Sequence, residues 1–69
     1  MTFTNWLKQQ KHRQDIVGDL ARDAVEDETG PKGNAGYHVW ERHLESKGAV
    51  QGALDALAEA WREFKGERG

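Results

Sequence analysis

Apolar residues along this 69-residue chain recur at helical rather than alternating spacing, which predicts helices joined by loops. The first stretch sets Phe3, Trp6 and Leu7 on one face of a short helix running from Thr2 to about Lys11. The Thr2 hydroxyl suits the N-cap, where it accepts from a free first-turn amide. A second helix begins at Asp15, another capping residue. Ile16, Leu20 and Ala24 form one stripe on it, and Val17, Ala21 and Val25 the stripe beside it. Together they predict a core face roughly 100° wide, on a helix finishing by about Glu28. Gly18 costs about 1 kcal/mol against Ala inside a helix, so it marks an expected close helix crossing.

The stretch Gly30-Pro31-Lys32-Gly33-Asn34-Ala35-Gly36 breaks the pattern and predicts a loop. Tyr37, Trp40 and Leu44 then line a third helix from Tyr37 to Ser46, with Gly48 as its left-handed stop. The last and longest helix, about Val50 to Lys65, carries Val50, Leu54, Leu57, Trp61 and Phe64, broadened by Ala53, Ala56 and Ala60. Gly66 is its expected end. The fold class is all-α: a small bundle of four to five helices with a long C-terminal helix, one domain over 1–69 whose last residues, 66–69, form a frayed tail.

Composition narrows what such a bundle is for. A core this small contributes only a few kcal/mol net, and with no cysteine neither a disulfide nor a thiolate zinc site reinforces it. Three Trp, two Phe and one Tyr supply the packing instead. No apolar run approaches the ~20 residues of a membrane span. The N-terminus lacks the apolar core of a signal peptide, so a cytoplasmic location and no membrane partner are expected.

The net charge of −2 is unevenly distributed. Residues 1–14 carry Lys8, Lys11 and Arg13 and no acid, whereas residues 15–29 carry six acids against Arg22. Positive charge converges at Lys8-Gln9-Gln10-Lys11-His12-Arg13, a run whose cations and amides suit phosphate or an acidic partner. Lys32 is a further candidate. Asp19, Asp23, Glu26 and Asp27 form the candidate acidic surface.

Catalytic and cofactor chemistry finds no foothold. His38 and His43 are five positions apart and face different ways on a helix, and His12 lies in another segment, so no metal site is expected. The glycines around Lys32 do not match a phosphate-binding loop and follow no strand. Ser46, the only serine, sits at a helix end without a base beside it. The reading is therefore no enzyme, no cofactor and no small-molecule ligand.

Several of these positions also resemble a known family. Phe3-x-x-Trp6-Leu7, the run from Asp15 to Asp23, and Pro31-Lys32 are similar to the YozE family of small bacterial proteins. So are Tyr37-x-x-Trp40, Leu44-Glu45-Ser46-x-Gly48 and Ala60-Trp61-x-x-Phe64. The resemblance covers nearly the whole chain. It implies a compact bundle like the sterile alpha motif (SAM-like), no catalytic residues, and a partner that is protein or nucleic acid. An aromatic is expected just before the Pro-Lys pair, where this chain has Gly30, which loosens the expected anchoring of the 30–36 loop. The expected function is a non-catalytic interaction module that binds protein. The segregated charge makes a second copy a candidate partner, in a head-to-tail contact. The rival expectation is nucleic-acid binding through Lys8, Lys11, Arg13 and Lys32, with the steep salt dependence that phosphate contacts bring.

Overall fold

The structure, a computed structural model, describes residues 1–68 and the side chains of residues 1–66. It is all-helical among the described residues: α1 (Phe3–Gln9), α2 (Ile16–Glu26), α3 (Tyr37–Ser46) and α4 (Gln51–Arg68), with one 3-10 turn at Gln10–His12. A five-helix count is not met, since the extra element is that single turn. The Cα radius of gyration, 10.7 Å, is close to the ~11 Å of a compact chain this long.

Local chemistry sets the helix ends. Thr2 Oγ1 accepts from the Asn5 amide at 3.2 Å, and Asp15 Oδ1 accepts from the Gly18 amide at 2.9 Å. These are the two expected caps. The expected first helix divides: after Gln9 the backbone tightens into the 3-10 turn, and the Gln10 side-chain amide donates back to the Trp6 carbonyl at 3.0 Å. α2 stops at Glu26, two residues short of the expected end, because Asp27 turns extended. α3 ends in a Schellman motif. Gly48, at φ 76°, allows its own amide to reach the Glu45 carbonyl and the Ala49 amide to reach that of Leu44, both at 3.0 Å, a geometry that favours glycine. Gly66 does not end α4, which continues to Arg68; residue 69, the last of the expected tail, lies outside the described residues.

One apolar cluster joins the helices. Phe3 is its hub, with ring centroids 5.0 Å from Trp61 and 5.5 Å from Phe64, and Trp40 edge-on at 6.3 Å. Leu7, Val17, Ala21, Leu57 and Ala60 are fully enclosed around it. Trp40 Nε1 donates to the buried Thr4 hydroxyl at 3.1 Å, so the one polar atom the indole brings inside is satisfied. Small residues at 56 and 60 let α1 and α2 approach α4 closely.

Two stripe assignments change. Val17, Leu20, Ala21 and Ala24 make the buried face of α2, while Ile16 and Val25 are exposed on either side of it. Val50, expected in the core, precedes α4 and is 73% exposed. Gly18 does mark a close approach, but to the chain entering its own helix: a Cβ there would lie 2.0 Å from the Arg13 carbonyl oxygen.

Candidate functional site

The charged candidates sort into those that the fold engages and those that it leaves open. Arg13 is engaged. Its guanidinium donates to Glu63 Oε1 at 2.6 Å and Oε2 at 3.1 Å, and to Asp15 Oδ2 at 2.7 and 3.0 Å. The fork ties the entry of α2 to α4 across 50 positions of sequence. These bonds, to Glu63 first and Asp15 next, raise the Arg13 pKa; Arg13 in turn lowers those of Glu63 and Asp15. Arg22 braces the same elbow by donating to the Lys11 and Arg13 carbonyls at 2.8 Å each and pairing with Asp19. Arg13 is therefore not the free cation expected, and Asp19 is already partnered.

Asp27 is engaged too. Its Oδ1 accepts from the Thr29 hydroxyl at 2.7 Å and the Thr29 amide at 3.0 Å, closing the turn after α2. Its Oδ2 meets His43 Nε2 at 2.6 Å, and Lys47 Nζ lies 3.6 Å from Oδ1. The Thr29 hydroxyl, then His43, hold the Asp27 carboxyl well below the ordinary carboxylate range. His43, only 14% exposed in its side chain, thus pins α3 to the end of α2. Among the described residues, no three His, Cys, Asp or Glu side chains are grouped to hold a metal. No described helix is long and apolar enough to cross a membrane.

What remains open lies on two flanks of α2. On one, Ile16, Asp19, Leu20 and Asp23 face Val50 and Ala53 across a groove of about 290 Å³. It runs into a shallower depression of about 630 Å³ that adds Glu26, Asp27, Glu28, Leu44 and Lys47, the last paired with Asp27. The floor is apolar and the rim carries more carboxylates than cations. Asp23, Glu26 and Glu28 have no cationic partner among the described residues, so of the four expected acidic candidates Asp23 and Glu26 stay unpaired, with Glu28 beside them. On the other flank, Lys8, Lys11 and His12 line a depression of about 600 Å³ with Met1, Asn5, Gln9 and Val25 and no carboxylate. Lys32 is exposed in the loop before α3 and does not line it.

The structure thus brings Lys8, Lys11 and His12 together, removes Arg13 from them, and leaves Lys32 apart. Sequence reasoning missed the apolar floor at Ile16 and Val50, which reads in the sequence as core. It also missed Glu63 as Arg13's partner; no periodicity links positions so far apart.

The family model of the YozE SAM-like fold matches residues 2–66. No curated protein and no solved structure matches the chain.

Proposed function

The chain belongs to the YozE SAM-like family, and from that premise we propose that it is a non-catalytic module that binds protein through the acid-rimmed groove between α2 and the start of α4. One observation carries the reading. Apolar side chains that a monomer gains by burying, Ile16 and Val50, stay exposed beside carboxylates that nothing in the described chain neutralises. An exposed apolar strip rimmed by polar groups marks an interaction surface. The rim sets the sign of the ligand: a segment carrying lysine or arginine beside apolar residues.

Absence of catalysis is part of the proposal. The lone serine hydroxyl donates to the His43 carbonyl at 2.7 Å, and the best-buried histidine is committed to Asp27. Both are tied up in helix-end geometry, where neither activates a nucleophile.

Nucleic-acid binding is the rival reading, and Arg13 weighs against it. With that guanidinium held by two carboxylates, the basic flank offers two lysines and His12, whereas useful phosphate affinity comes from many more contacts.

Fluorescence anisotropy of a labelled lysine- and leucine-rich amphipathic peptide tests the proposal. Wild-type chain binds it, and Asp23→Asn/Glu26→Gln weakens binding at least severalfold while leaving helicity unchanged. A peptide that ignores the chain, or a DNA duplex that binds in its place and is released by Lys8→Ala/Lys11→Ala, overturns it.

A further inference from the structure

Building on the groove reading above, we propose that its occupant is a second copy of this chain, which presents the lysine-lined flank of its own α2. The two surfaces lie on opposite sides of one helix. Ile16 and Val25 are nine positions apart, two and a half turns at about 3.6 residues per turn, so they point in opposite directions. Ile16 lines the acidic groove and Val25 the basic depression.

The exposed apolar residues divide the same way. Among the described residues five large hydrophobics are exposed, and four of them line these two surfaces: Ile16 and Val50 on the acidic side, Met1 and Val25 on the basic side. Charge divides likewise. Lys8 and Lys11 make no ion pair among the described residues, and neither do Asp23 and Glu26. Each flank therefore holds what the other lacks, an apolar strip beside unneutralised charge of opposite sign. An arbitrary cationic peptide matches the groove in charge alone; the chain's own opposite flank matches it in charge and in exposed apolar surface.

The contact joins two different surfaces, so it is heterologous. A pair leaves one groove and one flank unused, and growth continues into a ring or an open chain. Two unpaired lysines facing three unpaired carboxylates near the surface make the contact weak, concentration-dependent and sensitive to salt.

Sedimentation velocity of the full chain, over a concentration series at low and at moderate salt, tests this. The wild-type coefficient rises with concentration at low salt and falls back toward the monomer's on adding salt. Lys8→Gln/Lys11→Gln lacks a charged flank, and Asp23→Asn/Glu26→Gln/Glu28→Gln lacks the unpaired carboxylates of the groove. Each alone sediments as a monomer, with wild-type circular dichroism. Mixed in equal amounts they form a two-chain species that grows no further, because only one flank and one groove remain competent. Wild-type monomer at every concentration and salt overturns the second-copy assignment, as does undiminished association of either variant. The labelled peptide separates the two levels of the account: a monomer that still binds it at Asp23 and Glu26 loses the second copy but keeps the groove, and a monomer that ignores it loses both.

Discussion

The elbow at residues 13–18 and the outer face of α2 at residues 19–26 are neighbours in sequence, and both are crowded with charge, yet they use it in opposite ways. At the elbow, Arg13 forks between Asp15 and Glu63, and the Arg13 carbonyl fills the space that Gly18 leaves beside it. Further along, Asp23 and Glu26 make no ion pair and border the groove floored by Ile16 and Val50. A charged side chain belongs to the fold when the chain itself supplies its counter-charge, and is available to a partner when it does not. Substitutions should therefore separate the regions: changes at the elbow cost stability, and changes on the outer face cost binding.

Gly18→Ala breaks the elbow most severely. A helix interior ordinarily gains from this change, but here the new methyl meets a backbone carbonyl at 2.0 Å. The overpacking loss is about 2–3 kcal/mol, read as a lowered urea midpoint. Arg13→Ala follows at about 1 kcal/mol, the top of the range for partly exposed ion pairs. Lys11→Ala, two positions away, stays within about 0.5 kcal/mol. Equal losses at the two positions in urea titrations would erase the distinction between engaged and open cations.

Acid sharpens the comparison at the far end of α2. The Asp15, Asp27 and Glu63 carboxyls are all held below their ordinary values. The stability they contribute is present above the unfolded carboxylate range, about pH 4, and is lost as pH falls through the folded values. Asp27→Asn is accordingly less stable than wild type at neutral pH, and the gap between them closes below about pH 4. A gap independent of pH contradicts the role given to Asp27. The smallest effect is a gain: Gly52→Ala, where a Cβ meets nothing within 4 Å, stabilises the first turn of α4 by about 0.5 kcal/mol.

Much of the fold was legible in the chain because helix period and caps are local. Thr2, Asp15 and Gly48 act as expected, and α3 spans Tyr37–Ser46. The misplacements are edge effects. Ile16 and Val25 lie half a turn apart, on either border of the α2 core face, so periodicity placed both inside although neighbouring helices cover neither. Gly66 was read as a stop, but unlike Gly48 it does not take the positive φ of one, and the helix runs on to Arg68. The site was legible in halves. Asp23, Glu26, Lys8 and Lys11, picked out by charge alone, are left unpaired by the described residues. The engagement of Arg13 and Asp27 was not legible because what engages them, Glu63 and His43, comes from α4 and α3 through tertiary packing.

The most direct test is an amide-resolved NMR titration of the dilute, isotope-labelled chain with the cationic amphipathic peptide and, separately, with an acidic peptide of the same apolar pattern. The account predicts that the cationic peptide shifts Leu20, Asp23, Glu26 and Ala53, while the acidic one shifts Asn5, Lys8 and Lys11. Shifts from both peptides on the same residues, or from neither anywhere, would contradict the division of α2 into two oppositely charged binding flanks.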